Sequence, residues 1–168
     1  MSVLRIKVQE LTPEAFKPYG SVIELPANED TALSADRYTY WPMLSPLTCA
    51  CGKFQVGVCR MYKRPLRTQM LERQLGTQIF MTPLTGPMVI VFAKNEGLDP
   101  AERVNAQIAE AFLITPSQGI VINEGVWHYT PMPTEGDVDV ICISPMNGEG
   151  SSVYKQALDK GTVVEAVV

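Results

Sequence analysis

His128 is the only histidine in the sequence. Its ordinary pKa of about 6.5 makes it the side chain best able to exchange a proton near neutral pH. It lies in a short apolar and aromatic run, Val126 to Thr130, that reads as a strand. Alternation there puts Val126, His128 and Thr130 on one face and Trp127 and Tyr129 on the other. A single imidazole excludes the metal sites of cupin barrels, in which several histidines and a carboxylate hold iron, manganese or nickel with positions open for substrate. Two uses remain for His128: proton transfer, or a half-buried ring hydrogen-bonded to a neighbour.

A second group with chemical capacity is Met70 to Gln78, where Glu72, Arg73, Gln74 and Gln78 stand among apolar residues. A guanidinium at Arg73 can grip a small carboxylate through two parallel hydrogen bonds, and a partly buried Glu72 can accept a proton if its pKa is raised. The bland alternative is a surface strand on which Glu72 and Arg73 point to opposite faces. Just before His128, Asn123 and Glu124 sit at a turn closed by Gly125. Glu124 reads there as a solvated turn residue and Trp127 as core packing.

Other chemistries find less support. There is no G-x-S-x-G elbow, no phosphate-binding glycine loop and no dinucleotide fingerprint. Cys49 and Cys51 are too close for a zinc knuckle and have no second ligand pair downstream, while Cys59 and Cys142 sit in apolar alternating runs as inert thiols. The acids lack the ligand spacing of a calcium or magnesium loop. Neither a metal nor a cofactor is expected.

These residues need a scaffold, and the sequence points to a β-rich one. Phe54 to Tyr62 alternates with a period of two, and further strands are predicted at 68–73, 78–81, 88–93, 111–115, 119–122, 126–130 and 138–144, separated by Gly and Pro turns. Many short strands at close spacing argue for a sandwich or barrel. Thr12 and Pro13 open a short helix that Pro18 and Gly20 end. Asp99 is read as the cap of a helix from Pro100 to Glu110, and Ser151 or Ser152 as the cap of a C-terminal helix stopped by Gly161. Pro26 to Pro46 reads as one long loop.

At 168 residues the chain is read as one domain, 1–168, with 46% apolar and 19% charged residues. A net charge of −4 opposes phosphate backbones, so nucleic acid is not an expected partner. No apolar run approaches the roughly 20 residues of a membrane-spanning helix, and no secretory segment is read at the N-terminus. A cytoplasmic protein with reduced thiols is the expectation. The basic residues are dispersed apart from Arg60, Lys63, Arg64 and Arg67.

Taken together, Leu71-Glu72-Arg73-Gln74-Leu75-Gly76-Thr77-Gln78-Ile79-Phe80 and Gly119 through Gly125-Val126-Trp127-His128 resemble the paired signatures of the ureidoglycolate lyase family, and Leu11 to Ile23 resembles its N-terminus. The resemblance implies a mainly β, cupin-like barrel or jelly roll with a few short helices, usually dimeric. It implies metal-independent cleavage of ureidoglycolate to glyoxylate and urea in purine and allantoin catabolism, or action on a related small hydroxy- or keto-acid. The implied roles are proton transfer for Glu72 and His128, carboxylate binding for Arg73 with Arg60, Arg64 and Arg67 as further candidates, the ureido group for Gln78, and substrate contact for Asn123. The alternative from another class is a cupin-like protein that binds a small carboxylate metabolite without turnover. Where the family commonly reads Glu-Arg-His-Pro-Leu-Gly, this chain has the shorter Glu72-Arg73-Gln74-Leu75-Gly76, and Tyr129 follows His128 where a second histidine is usual.

Overall fold

The structure, a computed structural model, describes residues 2–28 and 30–168, with Lys160 described by its backbone only. The chain begins with β1 (Val3–Glu10) and the single-turn helix α1 (Pro13–Phe16). Thr12 caps that helix by accepting from the Ala15 amide at 3.2 Å, and Pro13 occupies the first turn, where a missing N–H does no harm. Then come β2 (Gly20–Ile23), β3 (Leu33–Ala35), β4 (Tyr38–Tyr40), β5 (Phe54–Met61), β6 (Arg67–Thr68) and β7 (Met70–Leu75). The middle of the chain supplies β8 (Ile79–Pro83), β9 (Met88–Ala93), β10 (Glu110–Ile114), β11 (Gly119–Ile122) and β12 (Trp127–His128). It closes with β13 (Met132–Pro133), β14 (Val138–Pro145), β15 (Ser152–Ala157) and β16 (Val163–Val167).

Two sheets make the cupin-like barrel. One runs β15-β7-β12-β9-β10-β1-β16-β6 with β13 also on β9, and the other runs β2-β11-β8-β14-β5. Pairing is antiparallel except that β1 lies parallel to both β10 and β16. The strand β9, Met-Val-Ile-Val-Phe-Ala, is apolar without a break because both of its faces are buried. Met88, Ile90 and Phe92 point between the sheets, where they meet Phe16, Tyr19, Phe112, Ile120, Ile122, Val138 and Val140. Val89, Val91 and Ala93 point the other way, toward Leu71, Val104, Ala111, Trp127 and Val164. The central strands of the larger sheet therefore have an inner face toward the barrel and an outer face on which Val104 and Ala109 of the 94–109 segment pack.

Three sequence expectations are corrected. Residues 100–110 do not form a helix: only Ala106–Ile108 makes a 3-10 turn, and Glu110 already belongs to β10. The segment is held extended by tertiary contacts, with Val104 and Ala109 packed into the outer cluster and Glu102 ion-paired to Arg73. The C-terminal helix is replaced by β15 and β16, because β7 needs a partner on its free side and finds it in Ser152–Ala157. The long loop contains the small β3–β4 hairpin, paired Leu33 to Tyr40 and Ala35 to Tyr38.

Candidate active site

The site is built where four adjacent strands of the larger sheet come into register. Lys155 on β15 lies opposite Glu72 on β7, Glu72 lies opposite His128 on β12, and His128 lies opposite Phe92 on β9. Directly opposed residues of an antiparallel pair share a face. Phe92 belongs to the cluster between the sheets, so Lys155, Glu72 and His128 all lie on the inner face. Trp127, Arg73 and Leu71 necessarily take the outer face, because successive side chains alternate.

The position of β12 is set by two anchored turns. Glu124 accepts from the Gly76 amide at 2.6 Å, and the Gly125 amide donates to the Gln74 carbonyl at 2.8 Å. Gly76 has φ +81°, and a Cβ there would meet the Gly150 carbonyl oxygen at 2.1 Å, so only glycine lets this turn sit against the turn that leads into β15. Glu124, read from sequence as a solvated turn residue, is thus a clasp between the two halves of the site.

His128 is 2% exposed and its ring packs beside Phe92 at 6.3 Å. Its Nδ1 lies 3.0 Å from the Val126 carbonyl oxygen, which can only accept; Nδ1 therefore carries the hydrogen and Nε2 presents a lone pair. That Nε2 is buried and has no hydrogen-bond partner among the described residues. Burial holds the imidazole pKa below its ordinary value, against the opposing influences of the Val126 hydrogen bond and the Glu72 charge, so the ring is neutral at pH 7. Nε2 is thus the unprotonated nitrogen of a neutral ring, and the same burial that lowers the pKa disfavours its charged form.

Glu72 is half-buried beside it, its side chain 23% exposed, and Lys155 Nζ stands 3.4 Å from its Oε2. Glu72 and Lys155 line a cavity of about 130 Å³ with Met70, Leu71, Tyr129 and Thr130. This is a volume for a metabolite of few heavy atoms, with a carboxylate and an ammonium in its wall and an imidazole next along the sheet.

Arg73 does not join this group. It is fully buried on the outer face, where Nη1 donates to Glu102 at 2.7 Å and to the Gly97 carbonyl at 3.2 Å, Nη2 donates to the Asp99 carbonyl, and the guanidinium lies 4.6 Å from the Trp127 ring centroid. Although burial pushes the Glu102 carboxyl upward, the Glu96 and Gly97 amides and Arg73 together hold it below its usual value. Arg73 therefore clamps the 97–102 loop, and the carboxylate-gripping role read for it has the wrong face. Glu72 and Arg73 do point to opposite sides of the strand, but the outer side is buried rather than open to solvent.

The other arginines are engaged as well: Arg60 bonds Asp139 at 2.7 and 2.9 Å, Arg67 bonds Glu165, and Arg64 donates to the Thr130 and Pro131 carbonyls. Gln78 and Asn123 are brought to each other. Gln78 Nε2 donates to Asn123 Oδ1 at 3.0 Å, and Gln78 Oε1 accepts from the Thr48 amide and hydroxyl. Gln78 thereby ties Thr48 to Asn123, and among the described residues no hydrogen bond joins Gln78 or Asn123 to Glu72 or His128.

Lys155 is the site residue that sequence reasoning missed, because it was assigned to a helix. The signal available in the sequence was the β-favouring pair Val153-Tyr154 just before it. Among the described residues no three His, Cys, Asp or Glu side chains form a group fit for a metal ion.

Comparison with known proteins gives this geometry a family. The chain is 29% identical over 161 residues to the ureidoglycolate lyase of Agrobacterium fabrum, covering 92% of each chain. It is 28% identical over 169 residues to ureidoglycolate lyase 2 of Rhizobium meliloti, covering 97% of this chain and 99% of the relative. Among solved structures, a dTDP sugar isomerase of Desulfovibrio desulfuricans G20 aligns with a TM-score of 0.45 at 13% identity over 85% of this chain and 88% of that one. The rmlC epimerase of Mycobacterium tuberculosis aligns with a TM-score of 0.43 at 15% identity over 72% and 64%. The ureidoglycolate lyase family model matches residues 3–165, from the start of β1 into β16, and the chain belongs to that family.

Proposed function

We propose that this protein is a lyase that cleaves ureidoglycolate into glyoxylate and urea, working in the cytoplasm as a homodimer in purine nitrogen catabolism. The observation that carries the reading is the Glu72–His128 pair, in register on the inner face beside a small cavity, in a chain that matches the family from residue 3 to 165.

The reaction breaks one carbon–nitrogen bond. The hydroxyl of the substrate loses its proton, its electrons become the carbonyl of glyoxylate, and the bonding pair leaves with the urea nitrogen, which must receive a proton. One proton moved from oxygen to nitrogen balances the whole change, and an adjacent imidazole and carboxylate can carry it. His128, neutral with a free Nε2, takes the proton, and the Glu72 charge beside it stabilises the imidazolium that forms. Lys155, the cation at the cavity, supplies the attraction for the substrate carboxylate that Arg73 cannot reach from the outer face.

Exposed Val56 (72%) and Val58 (65%) on the edge strand β5 support the dimer, because an apolar edge strand left open invites pairing with another chain. The decisive assay is release of urea and glyoxylate in equal amounts from ureidoglycolate by purified, chelator-treated protein. Absence of both products at any substrate concentration overturns the proposal.

A further inference from the structure

The Cys49–Cys51 turn lies outside the proton-transfer chemistry and holds two thiols unusually close. Their sulfurs are 3.4 Å apart, and both lie against the Lys53 carbonyl oxygen, at 3.4 and 3.2 Å. The turn closes through the Gly52 amide donating to the Cys49 carbonyl at 3.1 Å, which folds the chain back and aims both side chains to one side. Both residues are half-exposed, so a small solute can reach them.

This turn is wedged between the turns that carry the site strands. The Ala50 amide donates to the Gly76 carbonyl at 2.8 Å, at the end of β7, and Cys49 pairs with Thr77 in an isolated bridge. On the other side a Cβ on Gly150, just before β15, would lie 3.0 Å from the Cys51 nitrogen. β7 carries Glu72 and β15 carries Lys155, so a change in the Cys49–Cys51 turn bears on both.

We propose that Cys49 and Cys51 are a redox-responsive pair: a peroxide converts them to a disulfide within the turn, a thiol reductant reverses it, and the change alters the bracing of β7 and β15. The step balances. The Cys51 thiolate attacks a peroxide oxygen, forming a sulfur–oxygen bond as the oxygen–oxygen bond breaks and hydroxide leaves to become water. The Cys49 sulfur then displaces the second oxygen as water, forming the sulfur–sulfur bond. Two thiols lose two electrons and two protons, and one peroxide becomes two waters. The sulfurs must close from 3.4 Å to the disulfide bond length of about 2.05 Å, a movement within reach of χ1 rotation and a small shift of the turn. The two thiols are unequal in the way such a pair requires: burial and the neighbouring thiol raise Cys49, while hydrogen bonding at the Lys53 backbone holds Cys51 lower.

The competing pair is Cys59 and Cys142. They face each other diagonally across β5 and β14, where burial and the neighbouring Cys59 push the Cys142 thiol up to about 12, which disfavours its thiolate.

The test treats the full-length protein with a stoichiometric amount of hydrogen peroxide and follows free thiols and the mass of the Cys49–Cys51 peptide. Two thiols are expected to disappear with a mass loss of two hydrogens in that peptide, to return with dithiothreitol, and to do so at least tenfold faster than any mass gain at Cys59. Cys49→Ser should abolish the disulfide and leave an oxygen adduct on Cys51, whereas Cys51→Ser should abolish the disulfide and leave Cys49 as a free thiol. Steady-state turnover of ureidoglycolate should change reversibly with the redox state in the parent and not in the double serine variant. A disulfide mapped to Cys59–Cys142, persistence of all four thiols, or oxidation with unaltered turnover each overturns the proposal. Because the thiol readout needs no substrate, its failure is distinct from failure of the lyase assignment.

Discussion

Glu72 and His128 face each other across the β7–β12 pair, with the carboxylate at the cavity and the imidazole buried behind it, neutral and with Nε2 unpartnered. The proposed proton transfer makes the two a unit. Glu72→Gln and His128→Gln are each expected to lower kcat for urea release by roughly 10²- to 10⁴-fold, the range for loss of a proton-transfer group. The double variant should fall little further than the worse single, since groups sharing one proton are not additive. Additive losses, or losses accompanied by unfolding in circular dichroism, would contradict the shared role.

His128 also links stability to pH. Its folded pKa lies below the unfolded value of about 6.5, so between the two values the unfolded chain binds more protons and stability rises with pH. The contribution of His128 is complete above about pH 6.5 and is lost as pH falls from there through the folded value. Denaturant unfolding between pH 5 and 8 should show this acid-side decline, and His128→Gln should flatten it. The acid limb of kcat/KM should likewise lie below the ordinary histidine range.

Lys155 is expected to act on substrate binding. Its side chain is 61% exposed, so the ion pair with Glu72 adds little to stability, and Lys155→Ala should change it by less than about 1 kcal/mol. KM should rise by about tenfold, the equivalent of about 1.4 kcal/mol, with a smaller effect on kcat; Lys155→Arg should recover part of the loss. A purely structural lysine would leave KM unchanged.

Arg73 behaves in the opposite way. Arg73→Met removes the partner of Glu102 and the cover of Trp127, and should destabilise the fold by about 3–5 kcal/mol, as when one member of a buried ion pair is lost. The denaturation midpoint measures this. If the variant folds at low temperature, its KM should be nearer the parent value than that of Lys155→Ala.

If the proposed dimer forms through β5, Val56→Lys and Val58→Lys together should yield a monomer in analytical ultracentrifugation, because a charge on an exposed edge strand opposes pairing with a second copy.

Much of this was legible in the sequence because it depends on local rules. The period-two run from Phe54 to Tyr62 became β5, which ends one residue earlier at Met61, the unbroken apolar run from Met88 to Ala93 became a strand buried on both faces, and Thr12-Pro13 opened the helix. The pattern of Glu72 and Arg73 fixed that they part to opposite faces, and the two motifs identified the family. What local rules could not say is which face is which. The register of Glu72 with His128 and of Lys155 with Glu72 joins residues dozens of positions apart, and it is set by the Glu124–Gly76 clasp and by the need of β7 for a partner. For the same reason Ser152 to Ala157, whose composition fits a helix or a strand, became a strand and brought an unforeseen lysine to the site. The loop at 97–102 turned the outer face into an interior, which removed Arg73 from the cavity. Residue types determined what chemistry the chain could do; long-range pairing and burial decided which of those residues stand together to do it.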